Sequence, residues 1–230
     1  MRNGIGKGGA LLALDCSLKW TNAAVLSLSE GDLLAAKRLD IGRRQAAELP
    51  LVVEDLLAET GRSFEDLGLV AVTNGPGYFT GIRVGVSYGA ALAYGLGLKI
   101  APVSTLHMLA FSWLPQVKTV LVVVYAGRER LYAASFGNAE RELAPGKYSG
   151  EELAVWLDAQ DPESAILVSD EPAKTSDSLP GRRILHASPD AAVVAKIAWN
   201  ARETTPVFPT ELFQLTYVID PALKKRENEL

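Results

Sequence analysis

The chain has 230 residues, 48% of them apolar, a single cysteine and a formal net charge of −4. Such a composition can bury a sizeable core in one large or two small domains, and it disfavours binding driven by phosphate contacts, which needs a basic face. Cys16 has no partner for an internal disulfide, which fits a reducing compartment, and no apolar run reaches the roughly 18–20 residues of a membrane span. The opening MRNGIGKGG lacks the apolar core of a secretory signal and reads as a leader, and KKR at 224–226 reads as a solvated tail.

ALLALDCS predicts a buried strand over residues 10–16. TNAAVLSLSEGDLLAAKRLD predicts two more strands, with EGD at 30–32 as the hairpin turn. RRQAAELPLVVEDLLAETG carries Leu49, Val53, Leu56 and Leu57 at helical spacing and stops at Gly61. Pro50 fits that helix only in its first turn or at a kink. A strand, LGLVAVT, leads into the glycine loop and a helix over about 81–97. The strand KIAPV follows, and then a helix, TLHMLAFSWL, for which Ser104 is the candidate N-cap.

The order β-β-β-α-β-α-β-α then restarts. KTVLVVVYA and ERLYAASF form paired strands around GRE, and ERELA adds a third. SGEELAVWLDAQ is a helix capped by Ser149, SAILVS a strand and GRRILHA a weaker one. SPDAAVVAKIAWNAR is a helix with Pro189 at its first position. The restart implies two α/β units meeting near residues 112–117, with no accompanying repeat of residues.

The loop NGPGYFTGIRVG lacks the Lys and the Ser or Thr of a mononucleotide phosphate loop. Gly75, Gly77 and Gly81 are spaced one residue too long for the dinucleotide fingerprint. The residues alone favour a tight turn, stiffened by Pro76, with Thr80 capping the helix. Along that helix Gly81, Gly85, Gly89, Ala93 and Gly97 recur at every fourth position, one stripe almost without side chains. Each helical glycine costs about 1 kcal/mol relative to alanine, so something must come close to the stripe. The other directions carry Ile82, Val84, Val86, Tyr88, Leu92 and Leu96, so the helix is apolar all round. Either it packs wholly inside the monomer, or one side meets a second protein.

Chemistry-bearing residues are sparse. His107 and His186 are the only histidines, they do not form H-x-x-x-H, and neither a cysteine cluster nor G-x-S-x-G occurs. No metal site is expected. Asp15 ends the first strand, where a carboxylate either holds a magnesium–phosphate group or closes a turn. Tyr125, Arg128 and Glu129 fall in the hairpin turn that opens the second unit.

LLALDCS at the first strand, NGPGYFTGIRVGVSYGAALAYGLGLKIAPVSTLHMLA at 74–110 and the doubled element order carry a resemblance. PVFPTELFQLTY near the end adds to it. The chain resembles the TsaB (YeaZ) family, in the glycoprotease-like branch of the actin, sugar-kinase and Hsp70 superfamily. The resemblance implies an α/β fold of two RNase H-like (actin-like ATPase) lobes, each a mixed sheet with flanking helices. The lobes are expected at residues 1–112, carrying the partner-binding helices, and at 113–230.

The resemblance also implies a cytoplasmic, non-catalytic subunit in the making of threonylcarbamoyladenosine on tRNA. Such a subunit dimerises with and activates the catalytic paralogue TsaD, is joined by the ATPase TsaE, and forms a homodimer when alone. It meets tRNA only through the complex. The paralogue's metal-binding histidines are missing from the corresponding IGRRQAAELP. The family's pairing surface is built from helices at about 44–60 and 81–97. That nominates Gly81, Arg83, Gly85, Gly89, Ala93, Leu49 and Val53 as partner-binding. Asp15 and Arg128 are the nucleotide candidates, with no cofactor bound firmly and a place for ATP or ADP at the heterodimer junction. Family members commonly carry Asp-Ala-Arg where this chain has YAGR at 125–128, so Tyr125 replaces an acid. The alternative is an ATP-dependent phosphotransferase or ATPase working through Asp15 and the glycine loop.

Overall fold

A computed structural model describes residues 9–125, 131–138, 142–161 and 163–212. Its elements run β1 (Ala10–Asp15), β2 (Thr21–Ser27), β3 (Leu33–Leu39), α1 (Gln45–Glu59), β4 (Leu67–Thr73), α2 (Phe79–Leu96), β5 (Ile100–Val103) and α3 (Thr105–Phe111). They continue β6 (Thr119–Tyr125), β7 (Leu131–Gly137), β8 (Gly146–Tyr148), α4 (Gly150–Asp158), β9 (Ala165–Ser169), α5 (Pro172–Ser178), β10 (Ile184–His186), α6 (Ala191–Asn200) and α7 (Pro209–Leu212). They form two units, each built on a five-stranded mixed sheet.

In the first unit the strand order is β3-β2-β1-β4-β5. β1, β2 and β3 pair antiparallel, while β4 and β5 add parallel to β1. β1, β2 and β4 are buried at every residue, as strands covered on both faces must be. α1 and α2 pack on the face carrying Leu12, Leu14, Val70 and Val72. The hairpin expected at 30–32 forms, with Gly31 at φ 77° and Ser27 N–H donating to Asp32 O at 2.8 Å. Gly61, at φ 64°, stops α1 as its position predicted.

In the second unit the order is β10-β9-β6-β7-β8, again three antiparallel strands extended by parallel ones. Leu121, Val123, Leu131, Leu153, Trp156 and Leu167 form its core under α4. α3 packs against β6 and β7.

Four expectations are corrected. The units do not divide at 112/113. The first takes the chain through Ser104 and again from Asp190, and the second is Thr105–Pro189. The reason is α6, which packs on β1 and β2, with Trp199 Nε1 donating to Leu28 O at 3.0 Å and Lys196 Nζ to Gly31 O at 3.3 Å. The third strand of the second sheet is not ERELA. Among the described residues of that stretch only Leu143 bonds to β7, through Ser135, and the ladder runs over Gly146–Tyr148, past Pro145. α6 is capped by the Asp190 carboxylate, which accepts from Ala192 N–H at 2.8 Å, so Pro189 lies outside the helix. α2 begins at Phe79 with Tyr78 as N-cap residue, which leaves Thr80 inside the first turn rather than capping it.

Candidate functional site

Asp15 ends β1 with its side chain fully buried. Oδ1 accepts from Ser17 N–H at 3.1 Å, Ser17 Oγ at 2.6 Å and Thr73 Oγ1 at 2.7 Å, and Oδ2 accepts from Asn22 Nδ2 at 2.8 Å. The carboxylate therefore fastens the ends of β1, β2 and β4 together. Both of its oxygens are committed inside the fold, which does not fit a ligand for a magnesium–phosphate group. Cys16 beside it is buried, and burial, followed by the Asp15 charge, pushes its thiol up to about 12. Such a thiol is not a nucleophile near neutral pH.

The glycine loop has the same inward purpose. Asn74 N–H donates to Val103 O at 3.0 Å and Tyr78 N–H to Ser17 O at 2.7 Å. A Cβ on Gly77 would lie 2.1 Å from Ser17 O, and one on Gly81 would lie 2.0 Å from Cys16 O. The glycines thus admit the chain's own carbonyl oxygens. These are acceptors, of the wrong polarity for phosphate, so this end of the loop does not fit a nucleotide's phosphates.

The stripe on α2 continues the pattern. Gly85 faces Cys16, and a Cβ on Gly89 would meet Val72 Cγ1 at 2.5 Å. Gly81, Gly85, Gly89 and Ala93 are all buried. Nominated above as partner-binding, they face β1 and β4 instead, because the helix can settle on two fully buried strands only where it carries no side chain. Leu49 and Val53, nominated with them, are wholly buried in the same core. Arg83 alone of the set is exposed, its guanidinium 3.9 Å over the Phe79 ring.

The outward side of the helix pair is a different surface. Ala46 of α1 and Arg83, Val84, Ser87 and Tyr88 of α2 line a groove of about 340 Å³, with the buried Leu49 at its base. Val84, Tyr88 and Leu92 are half-buried, Ser87 and Ala91 are exposed, and Tyr94 is 75% exposed. Partial burial, then the charge of Glu54, raises the Tyr88 hydroxyl above its usual range, so α1 supplies an acid beside an apolar strip. The glycine stripe is the stronger periodic signal in the sequence and masks this face. The exposed small residues Ser87, Ala91 and Gly95, four apart, were the available signal.

Elsewhere the candidates disperse. Tyr125 ends β6 half-buried, with Lys174 Nζ 5.5 Å from its ring centroid, and Arg128 and Glu129 lie outside the described residues. His107 stacks on Phe136 at 5.5 Å and is held below its ordinary pKa by burial, and His186 is exposed. Among the described residues no group of three or more His, Cys, Asp or Glu side chains could hold a metal. No described helix is long and apolar enough to cross a membrane.

The family model of tRNA N6-adenosine threonylcarbamoyltransferase, TsaD, matches residues 40–153. The tRNA threonylcarbamoyladenosine biosynthesis protein TsaB of Escherichia coli is 36% identical over 47% of this chain and 46% of its own length. TsaB of Buchnera aphidicola is 25% identical over 60% of this chain and 62% of its own length. The chain thus spans about half to three-fifths of these curated relatives. Among solved structures, an uncharacterized Pseudomonas aeruginosa protein with similarity to peptidase YeaZ superposes with a TM-score of 0.73 at 26% identity, covering 88% of this chain and 96% of that one. By sequence and by fold alike, this chain resembles the TsaB (YeaZ) proteins and is built, as they are, from two actin-like, RNase H-like lobes.

Proposed function

We propose that the chain is a non-catalytic subunit of the cytoplasmic assembly that makes threonylcarbamoyladenosine on tRNA. It pairs with and activates a TsaD-like paralogue through the outward face of α1 and α2. The relatives named TsaB support the pathway. One observation supports the mode of action: the inward side of α2 is consumed by the chain's own sheet, while its outward side leaves an apolar groove between two helices. A helix pair with such a groove suits packing against a second helix pair, side chains of one filling the spaces of the other. The same surface serves for self-association when the paralogue is absent.

The committed Asp15 carboxylate supports a reading in which this subunit does not turn over ATP by itself. ATP or ADP belongs, in this proposal, at the junction with the paralogue, where a TsaE-like ATPase acts, and tRNA meets the assembled complex. Ser87→Arg and Ala91→Arg place a long cation on exposed helical positions without touching the core. Titrated with the TsaD-like paralogue by calorimetry, each variant is expected to bind at least tenfold more weakly while its circular dichroism is unchanged. Undiminished binding by both variants would move the partner to another surface.

A further inference from the structure

A second concave surface lies within residues 105–189. The connection after α3, the end of α4 and the chain entering β10 converge at the N-terminal ends of β9 and β10. They enclose a cavity of about 600 Å³. That volume is within the range of about 300–1,000 Å³ in which small-molecule sites fall. Open α/β sheets usually bind ligands at the other, carboxyl ends of their strands, so this cavity is not the fold's customary site.

The lining has three chemical parts. Leu157, Ile166 and Leu185 give an apolar floor, and the half-buried Trp113 offers an aromatic wall. Arg182 and Arg183 stand at the rim with Asp158 and Asp161. Arg182 donates to Asp158 at 2.6 Å, so that pair neutralises itself. Arg183 is exposed and forms no ion pair among the described residues. Asp161 accepts from Glu163 N–H through Oδ1 at 3.1 Å, which leaves Oδ2 as an acceptor.

We propose that this cavity binds a nucleoside monophosphate. The base stacks on Trp113 over the apolar floor, a contact open to any base because each has a π-face. The sugar hydroxyls donate to Asp161, as ribose hydroxyls do to an acidic residue in dinucleotide sites. The phosphate accepts from the Arg183 guanidinium, whose fork matches its oxygens. One uncommitted guanidinium in a lining that also holds two carboxylates suits a single phosphate. Further phosphates, or a nucleic-acid strand, would bring charge against Asp158 and Asp161.

The test is isothermal titration of the full chain with AMP, with adenosine and inorganic phosphate titrated separately. AMP is expected to saturate one site per chain, with each half binding at least tenfold more weakly. Arg183→Glu, at an exposed position that leaves the fold intact, is expected to weaken AMP binding by about tenfold or more, and Arg183→Lys to restore part of it. The proposal is overturned by the absence of saturable AMP binding at millimolar concentration, by adenosine binding as tightly as AMP, or by AMP affinity unchanged in Arg183→Glu. Loss of partner binding in the α2 variants leaves this result untouched, since no residue is shared.

Discussion

Gly81 and Gly85 sit one turn apart on the same side of α2, yet a methyl group at each would meet different surroundings. At Gly81 the new Cβ would lie 2.0 Å from Cys16 O, a main-chain atom that moves only with the end of β1 and the Asp15 network. At Gly85 the nearest atoms are Cys16 Cβ and Sγ at 3.5 and 3.6 Å, ordinary contact distances. Alanine gains about 1 kcal/mol over glycine in a helix interior, and overpacking a well-filled site costs about 1–3 kcal/mol. A main-chain atom at 2.0 Å puts Gly81 in the upper part of that range, about 2–3 kcal/mol, so Gly81→Ala is expected to lose about 1–2 kcal/mol net and Gly85→Ala to gain about 0.5–1 kcal/mol. In a chain of this length each kcal/mol moves Tm by roughly 2–4 °C, so the two variants should melt on opposite sides of the parent. Urea titration followed by circular dichroism measures the difference directly, and calorimetry with the paralogue should show equal affinities for both folded proteins. Stability of Gly81→Ala equal to the parent would refute the packing argument. Weakened partner binding by a fully stable Gly85→Ala would instead place the stripe on the outside.

Other perturbations follow from the same geometry. Asp15→Ala strands the Ser17, Asn22 and Thr73 donors in a fully buried site and should cost about 3 kcal/mol or more in a denaturation experiment, a loss of fold rather than of an activity alone. Cys16, its thiol pushed up to about 12, should resist iodoacetamide in the native protein near neutral pH and react once urea unfolds it. Asp170 is pushed up from its ordinary 3.8 to about 6 by burial first and by the Glu171 charge second, with Lys174 opposing. The folded state then holds this proton more tightly than the unfolded one, so its contribution to stability falls as pH rises from about 4 to 6. Asp170→Asn should flatten that slope and stabilise the protein at pH above about 7 by roughly 1–3 kcal/mol, as read from urea midpoints. Asp190→Ala removes the cap on α6 and should cost about 1 kcal/mol by the same measurement.

Much is readable in the sequence because it depends on neighbours in the chain. The alternating runs, the turn at Gly31 and the stop at Gly61 are set by side-chain periodicity and by φ angles that glycine tolerates. The run from Asn74 to Ala110 and the doubled element order sufficed to identify the resemblance and the two mixed sheets. α5 went unseen because its seven residues, PAKTSDS, are proline-led and mostly polar and carry no apolar period.

What the sequence left open concerned direction and distance. A glycine at every fourth position announces a close approach, but its spacing is the same whether the neighbour is a partner or the chain itself. Only the placement of β1 and β4 under α2 decided for the latter. Asp15 looked available because Thr73, which occupies its Oδ1, arrives 58 positions later in the chain. α6 read as the last helix of a second lobe because nothing local says that Trp199 will meet the Leu28 carbonyl, 171 positions away, and close the first. Periodicity records which side of an element is apolar, whereas the identity of what covers that side is settled only when distant segments compete to bury it.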